Sequence, residues 1–568
     1  MLTKPWFLGN TTLRNPRRLK EGLRVYHDSY LHGNLAGREN EQAFAILLHN
    51  EGVTYSAKYE NDMNSDVSDM GRKWRSALKQ LGFIKNENAN EPYTITESGL
   101  RLINTESLVQ ENECFFRTLL AYQMPSVLEP TIKAETFNPI RLIIRILKQM
   151  ECDGLKPYID LDEMSSIVSL TDPTMIDECV EKIKQYRTGL SKAENKNKYK
   201  REYRERVAER TGSSSERGVK EGTLRDYADT SFRYFRLTGL FSQHSRKLSI
   251  ADHKAVIANQ LYQQKHKDAL VDDNNYLTAL WNGSSLPTDN TTEAKQEVNN
   301  LISILSKEGK DYRDLDTKTN DVKQLTQLRL GLEDDLFKVF ETRYAEKQKD
   351  QWEDIIEYLE GLTNHRKSKL IPNGEAPAYF EWTVWRLFLA LNKLMNKPWE
   401  ARQFRIDDDF KPITTAPGGG PDIVFEFEEF VIVVEVTLTT SSRQEAAEGE
   451  PVRRHVADYV SKYEESGKKV FGLFIANTID TNTAETFRIG SWYRKDDTKL
   501  GVNIVPVTIS QLLTLVKAMY SGQIEKDYNV VIEVLKNCLL QSKNEAPVWK
   551  SYIAEEISEY ITKKEINS

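Results

Sequence analysis

Cysteine and histidine, the side chains that build most protein zinc sites, are scarce in this sequence. Four cysteines and eight histidines are spread over 568 residues, and no Cys-x-x-Cys pair occurs. The four cysteines are Cys114, Cys152, Cys179 and Cys538. Their spacing excludes a small zinc module and a disulfide framework. A metal site in this chain would therefore need oxygen ligands, which favours a hard cation such as Mg²⁺.

Long apolar runs are also missing. No stretch approaches the ~20 consecutive apolar residues that a membrane-spanning helix requires. The first residues, MLTKPWFLGNTTLRNPRR, lack the apolar core of a secretion signal. We therefore expect a cytoplasmic protein with no membrane partner. A chain of 568 residues with 39% hydrophobic and 29% charged residues should fold into several globular domains.

The net charge of -7 does not by itself suggest a nucleic-acid partner, but the charge is unevenly distributed. Residues 187–225 contain twelve Lys or Arg against six Asp or Glu, and residues 1–25 contain six against one. Such segments can neutralise DNA phosphates. The candidates in KNKYKREYRERVAER are Lys200, Arg201 and Arg204. The alternative is a solvated helix whose charges form i,i+4 pairs.

One pattern occurs twice in the N-terminal part: an amphipathic helix, a glycine-containing stop, a polar turn and a short strand. It covers residues 70–103, which include YTIT, and residues 222–250, which end on KLSI. This order is typical of winged-helix elements, in which the helix enters the major groove and the hairpin contacts the DNA backbone. The alternative is a helical subdomain whose hairpin packs internally.

Basic side chains in both copies are candidates for DNA contact. Arginine can bind a guanine edge or a phosphate through two hydrogen bonds. In the second copy we expect Tyr227, Tyr234, Phe235 and Leu237 to be buried and the arginines to project outward. The candidates are Arg72, Lys73 and Arg75 in the first copy and Arg225, Arg233 and Arg236 in the second.

The sequence changes character twice after these copies. Residues 251–370 are polar, charged and of helical pattern, which predicts a helical linker. Residues 371–568 alternate strands and helices, which predicts a mixed α/β sheet covered on both faces. Its predicted elements are an apolar helix at 380–391, strands at 423–427 and 430–437, a helix at 451–465, the strands KVFGLFIAN and GVNIVPVTI, and the helix SQLLTLVKAMY. The N-terminal region, 1–250, is then the DNA-recognition part.

Two acids interrupt the apolar strand pair in GGGPDIVFEFEEFVIVVEVTLTT. Asp422 precedes the first strand and Glu435 lies within the second, so a tight hairpin should bring the carboxylates together. Uncompensated burial would be costly or would protonate them, whereas a divalent cation removes that cost. Asp422, Glu435 and the main-chain carbonyl of Val436 therefore predict a Mg²⁺ site like that of nucleases with a PD-(D/E)xK motif. Spacing of this kind also arises by chance.

Several separated segments, in one order, resemble the AlwI family of type IIS restriction endonucleases, which includes strand-specific nicking relatives. They are TSFRYFRLTGLF, AYFEWTVWRLF, GGGPDIVFEFEEFVIVVEVTLTT and EGEPVRRHVADY. The resemblance implies a DNA-recognition region with winged-helix parts, a linker and a C-terminal PD-(D/E)xK-like nuclease domain. It implies catalytic roles for Asp422 and Glu435 and also for Glu381, Glu448 and His455. The alternatives for the last three are a solvent-facing helix residue, a loop charge and a helix residue that donates to a carbonyl. Thr437 stands where the motif usually has lysine, so the attacking water must be activated differently.

The resemblance also implies function and partners. We expect a type IIS enzyme of the bacterial cytoplasm that binds a short asymmetric site of the GGATC or GAGTC kind in double-stranded DNA and cuts a few base pairs outside it. Mg²⁺ is the expected cofactor, with Mn²⁺ as a substitute. A transient homodimer or a second nuclease subunit would complete double-strand cleavage, and a cognate DNA methyltransferase would act on the same site without a stable complex. The alternatives are a strand-specific nicking endonuclease and a catalytically inactive DNA-binding regulator.

Overall fold

The computed structural model divides the chain into two compact units, Met1–Phe337 and Lys338–Ser568. It describes residues 2, 4–13, 15–86, 91–128, 133–211, 221–264, 272–312, 315, 317–391, 393–440 and 443–567. The protein is multidomain and mostly helical, 59%, with small sheets. Within the described residues no helix is both long and apolar enough to cross a membrane. The predicted linker, residues 251–370, is divided between the two units.

The first unit is built of helices and short strands. Its helices are α1 (Leu19–Asp28), α2 (Arg38–Asn50), α3 (Ala57–Asn61), α4 (Ser68–Gln80), α5 (Glu97–Ile103), α6 (Leu108–Ala121), α7 (Pro139–Cys152), α8 (Leu161–Ser166), α9 (Ile176–Lys192), α10 (Lys196–Arg210), α11 (Glu221–Arg236), α12 (Ala255–Gln263), α13 (Asp273–Asn282), α14 (Thr291–Lys307) and the start of α15 (Val322–Lys347). Its strands are β1 (Ile84–Lys85), β2 (Thr94–Ile95), β3 (Ile159–Asp160), β4 (Phe241–His244) and β5 (Lys247–Ile250).

Local chemistry sets where these helices begin. The side chain of Asn138 accepts the N–H of Arg141, and Pro139 fits the first helical position, so α7 starts at that point. Aromatic side chains then fill the core. The Trp6 ring packs edge-on against Phe137 and Phe235, with ring centres 5.4 and 6.5 Å apart.

Both repeated patterns fold as a helix followed by an antiparallel hairpin. In the first copy α4 leads to β1 and β2, and in the second α11 leads to β4 and β5. The second hairpin gains a third strand, because β3 pairs with β5. Sequence analysis missed β3, which is only two residues long and gives no periodic signal.

Helix α11 is a core helix. Tyr234, Phe235 and Leu237 are buried, as expected. Phe232, Thr230 and Ser231 on α11 are fully buried as well. A helix packed on most of its circumference has little surface left to place in a DNA groove. Tyr227 differs from the expectation in being only partly buried, and its ring stacks on Phe7 with centres 4.0 Å apart.

The second unit combines one four-stranded sheet, a small hairpin and helices. Its helices are α16 (Trp352–Thr363), α17 (Ala376–Leu389), α18 (Pro398–Ala401), α19 (Glu450–Lys462), α20 (Thr481–Ile489), α21 (Ile509–Ser521), α22 (Tyr528–Leu540) and α23 (Ala546–Asn567). Its strands are β6 (Ile423–Glu426), β7 (Phe430–Thr437), β8 (Lys469–Ala476), β9 (Ser491–Tyr493), β10 (Lys499–Gly501) and β11 (Asn503–Thr508).

The four-stranded sheet is mixed, as predicted. Its strand order is β11-β8-β7-β6, in which β6 and β7 are antiparallel while β7, β8 and β11 run parallel. Ile423 pairs with Val434, so the residue before β6 lies beside the end of β7. Sequence analysis missed the β9–β10 hairpin and helices α20, α22 and α23.

Helices cover both faces of this sheet, which also agrees with the prediction. On one face the ring of Phe388 in α17 stacks on Phe425, with centres 4.2 Å apart. Phe425 pairs with Ile432, and Ile432 and Glu435 point to opposite faces because they are an odd number of residues apart. On the second face His455 of α19 reaches Glu435. The sheet thus carries Glu435 into the layer between β7 and α19.

Candidate active site

Asp422 immediately precedes β6 and lies beside the C-terminal end of β7. Its Oδ2 accepts the backbone N–H of Val436 at 2.8 Å. Asp422 lies beside Glu435, one residue beyond the paired Ile423 and Val434, and the charge of Glu435 raises the pKa of Asp422. The structure therefore brings together the two acids that are thirteen positions apart in the sequence.

The carbonyl of Val436 points to the same side as this carboxylate. In an antiparallel ladder the N–H and C=O groups of one residue face the same neighbouring strand. Because the N–H of Val436 is directed at Asp422, its carbonyl oxygen faces the β6 side as well. The three predicted oxygen donors, those of Asp422, Glu435 and Val436, thus share one edge of β7.

Glu435 is buried, with 7% of its surface exposed, and is held by α19. Its Oε1 lies 2.6 Å from Nδ1 of His455. Burial and the negative charge of Glu448 raise the pKa of Glu435 to about 8. Burial and the charge of Arg454 lower the pKa of His455. Within the described residues the buried Nε2 of His455 has no hydrogen-bond partner.

Glu381 joins this site from α17. It is 4% exposed, and its Oε2 accepts the backbone N–H of Ala416 at 2.7 Å. Burial and the charge of Asp422 raise the pKa of Glu381 well above its usual value. Burial and the charge of Glu435 do the same to the pKa of Asp422.

Glu448 reaches the site from a π-helical turn, Glu445–Gly449, that precedes α19. Burial raises the pKa of Glu448, and a hydrogen bond with the hydroxyl of Thr437 acts in the opposite direction. Thr437, at the position where the motif usually has lysine, therefore contacts an acid of the site. Sequence analysis did not foresee this contact.

We call Glu381, Asp422, Glu435 and Glu448 the acid cluster. Each has a raised pKa, and in each case burial is the largest cause. Among the described residues no group of three or more His, Cys, Asp or Glu side chains is arranged as a complete metal site. The fit to a cation therefore depends on the carboxylates of Asp422 and Glu435 and the carbonyl of Val436. A divalent cation would offset the negative charge that the acid cluster carries when it ionises.

Gln444 is a buried residue that sequence analysis missed. Its Nε2 donates to the carbonyls of Thr439 and Thr478 at 2.8 and 2.9 Å, and its Oε1 accepts the N–H of Asp480 at 2.9 Å. It is 0% exposed. A single glutamine after a strand gives no sequence signal for these hydrogen bonds, because they depend on loops that the fold brings around the side chain.

The first group of predicted DNA-binding residues lies on α4. Arg72 is exposed, and it and Lys73 pair with Asp69 one turn earlier. Arg75 is partly buried, and it donates to Glu41 at 2.6 Å and to the Tyr93 hydroxyl at 2.7 Å. Arg72 and Lys73 thus lie on the accessible side, whereas Arg75 ties α4 to its neighbours.

The group on α10 divides in the same way. Arg201 is exposed and lies 3.8 Å from Glu205, while Arg204 and Lys200 pair with Asp162 at 2.7 and 3.3 Å.

The group on α11 differs from the expectation. Arg233 does not project outward, because its side chain is 15% exposed and donates to the carbonyl of Leu13 at 2.6 Å. It also pairs with Asp229 at 3.0 Å. Arg225 and Arg236 are both partly buried. The helical periodicity of the sequence could not reveal that the N-terminal segment around Leu13 covers the Arg233 side of α11.

Three solved structures are similar to parts of this chain. The small subunit, R.BspD6I2, of the heterodimeric restriction endonuclease R.BspD6I is 27% identical over 38% of this chain and 98% of its own, with a TM-score of 0.28. Restriction endonuclease FokI is 13% identical over 94% of this chain and 98% of its own, with a TM-score of 0.25. The BpuJ1 endonuclease binding domain, solved with pyrene- and phenanthrene-modified DNA, is 12% identical over 46% and 88%, with a TM-score of 0.29.

A search of curated proteins finds no match. The sequence profile described as AlwI restriction endonuclease matches residues 79–515, well over half of the chain, and the matched stretch contains the whole acid cluster. This protein therefore belongs to the AlwI restriction endonuclease family, a family of DNA nucleases.

Proposed function

We propose that this protein is a type IIS restriction endonuclease that binds a short asymmetric DNA site and hydrolyses a phosphodiester bond a few base pairs outside it with Mg²⁺. The observation that carries the proposal is the acid cluster, which concentrates four carboxyl groups with raised pKa at one end of the sheet. Shifts of this kind mark functional sites when they converge on one place. The family's sequence match supplies the substrate class.

Asp422, Glu435 and the carbonyl of Val436 would hold the cation at a nuclease centre of the PD-(D/E)xK kind. When bound there, Mg²⁺ lowers the pKa of a coordinated water and offsets the charge that develops on the phosphodiester. Mn²⁺ offers the same preference for oxygen ligands and should substitute. The backbone N–H of Val436 fixes the orientation of Asp422, and His455 fixes that of Glu435.

Glu448 is the residue that we assign to the attacking water in place of the missing lysine. The hydroxyl of Thr437 lies close enough to Glu448 to lower its pKa, although burial, the larger effect, raises it. A carboxylate whose pKa is raised accepts a proton from water more readily than a solvated glutamate does. A lysine ammonium group would stabilise the developing anion, whereas the carboxylate of Glu448 would accept a proton from the attacking water.

DNA recognition belongs, in this proposal, to the first unit. The exposed Arg72 and Arg201 and the half-buried Lys73 are the accessible members of the predicted basic set. Contacts to phosphates would place the protein on the duplex, and contacts to base edges would specify the site. The site is of the GGATC or GAGTC kind by family resemblance, and the matching methyltransferase would act on it separately.

One acid cluster hydrolyses one strand. A double-strand break then requires a second catalytic domain, supplied by transient pairing with another copy or by a second subunit, and a chain that acts alone nicks DNA. Plasmid incubation with Mg²⁺ separates these outcomes: linear product indicates double-strand cleavage and open circles indicate nicking. Supercoiled plasmid that stays intact while specific binding persists would identify an inactive DNA-binding regulator and overturn the proposal. Sequencing the ends of the product gives the cut positions.

A further inference from the structure

A single helix runs from Arg443 to Lys462 and contains the π-helical turn Glu445–Gly449 near its start. Such turns are rare, because the wider i→i+5 bonding packs less well, and they are frequent at functional sites. This turn lies between Gln444, which contacts loops, and His455, which contacts Glu435.

The π-helical turn separates the side chains of Gln444 and Glu448, which a regular helix would place on the same face. Gln444, Glu448 and His455 are spaced by four and seven residues, a spacing that puts all three on one face of an α-helix. Instead, Gln444 is directed to backbone groups of Thr439, Thr478 and Asp480, while Glu448 contacts Thr437. The extra residue in the π-helical turn allows both side chains to reach their partners.

Gln444 fastens the start of this helix to the loops that follow β7 and β8. All three of its hydrogen bonds are between 2.8 and 2.9 Å long and reach backbone groups on both loops. Glu445 adds a contact, because its Oε1 accepts the hydroxyl of Thr486 in α20 at 3.3 Å. The π-helical turn is thus fixed at its first residues by side chains that lie outside the acid cluster.

We propose that Gln444 is a positioning residue for DNA cleavage: it holds the π-helical turn so that Glu448 faces Thr437 and the Asp422–Glu435 pair. The inference rests on the proposed nuclease function and extends it to a residue that touches no reacting group. Loss of the three bonds lets the turn relax towards a regular helix, which displaces Glu448. Displacement of a catalytic group by about 1 Å can cost about 100-fold in rate.

Gln444→Met tests this, because methionine keeps the volume and removes the hydrogen bonds. With the full chain in excess over a labelled duplex, we expect a single-turnover cleavage rate lower by about 10–100-fold and an unchanged Kd for the duplex. In a Thr437→Val background the same substitution should add less than about threefold, since both changes act through the position of Glu448.

Gln348→Met is the matched control. Gln348 is also a buried glutamine of the second unit, 1% exposed, and it donates to Tyr344 at 2.8 Å and accepts from Arg386 at 2.7 Å. It should lose a similar amount of thermal stability while it cleaves at nearly the wild-type rate.

Three results would overturn the inference alone: wild-type cleavage by Gln444→Met, an equal loss in Gln348→Met, or full additivity with Thr437→Val. If Gln444→Met does not fold, Gln444→Asn, which keeps both polar groups on a shorter side chain, takes its place with the same criteria. A wild-type chain that binds but never cuts would instead overturn the proposed function, and the role of Gln444 with it.

Discussion

Each unit of this protein contains a cluster of buried charges, and the charges are balanced in the first cluster and unbalanced in the second. In the first unit Arg329 pairs with Glu113 and with Glu333 at 3.0 Å, and Lys254 pairs with Glu333 at 2.6 Å. We call these four residues the paired network. Although burial opposes ionisation, Arg329 and Arg117 lower the pKa of Glu113 to about 2. In the acid cluster the charged neighbours of Glu381 and Asp422 are other acids, while Glu435 and Glu448 also lie near His455, and every pKa is raised.

The difference separates structure from function. A buried carboxylate that meets a guanidinium is satisfied within the protein, and its charge needs no further partner. A set of buried acids without enough positive charge destabilises the fold unless a ligand balances it, which is why such sets concentrate at functional sites. Glu297, beside the paired network, is an intermediate case, because burial raises its pKa to about 7.

The largest expected effect concerns the acid cluster. Asp422→Asn should reduce DNA cleavage by at least about 1000-fold, because it removes a proposed metal ligand whose contribution to the transition state would be several kcal/mol. Specific binding should stay within about twofold of wild type, since the residues proposed for recognition lie in the other unit. Plasmid cleavage and a binding assay on the same preparation measure both. Cleavage that persists in this variant would remove Asp422 from the catalytic assignment.

Removing a charge from the paired network should act on stability instead. Arg329→Ala leaves the buried Glu113 with Arg117 alone and the buried Glu333 with Lys254 alone, and we expect the free energy of unfolding to fall by about 3–5 kcal/mol. Urea denaturation measures the change. Arg201→Ala is the control, because its exposed pair with Glu205 at 3.8 Å should contribute less than about 0.5 kcal/mol. Equal effects of the two substitutions would contradict the distinction between a buried network and an exposed pair.

The pH dependence of stability should have opposite signs at the two sites. Glu435, with a pKa of about 8 against a usual 4.5, binds its proton more tightly in the folded chain. Without metal, its contribution is therefore complete below pH 4.5 and is lost as the pH rises towards 8, a decrease of about 1–3 kcal/mol. Glu113, with a pKa of about 2, loses its contribution as the pH falls from 4.5 towards 2.

Denaturation curves of the metal-free chain between pH 5 and 8 measure the first of these effects. Glu435→Gln should flatten the curve of stability against pH, and saturating Mg²⁺ should do so as well, because the bound cation replaces the proton. A stability that rises steadily over this range in both the wild type and the variant would show that Glu435 ionises normally.

The smallest expected effect is on DNA affinity. Arg72→Ala should weaken binding by about 1 kcal/mol and reduce the salt dependence by about one phosphate contact, because Arg72 is accessible on α4. Arg233→Ala should lower stability instead, since its guanidinium is bonded to Leu13 and Asp229. Fluorescence anisotropy at several salt concentrations distinguishes the two. A larger loss of affinity in Arg233→Ala than in Arg72→Ala would restore α11 as the recognition helix.

Local sequence patterns were sufficient to predict the elements whose chemistry is local. The alternation of side chains and a short hairpin fix the strand register over a few residues. They therefore predict β6, β7 and β8, the two helix–hairpin units and the proximity of Asp422 to Glu435. Family resemblance added Glu381, Glu448 and His455, which no local pattern indicates.

Only the tertiary structure decided which polar side chains face a partner and which face solvent. Arg233 and Arg75 look like exposed helix arginines in the sequence, but distant segments cover them. The proximity of Thr437 to Glu448 depends in the same way on the π-helical turn. The hydrogen bonds of Gln444 depend on the loops that follow β7 and β8. Such contacts depend on where separate elements meet, and that is set by packing of the whole unit rather than by the periodicity of any one segment.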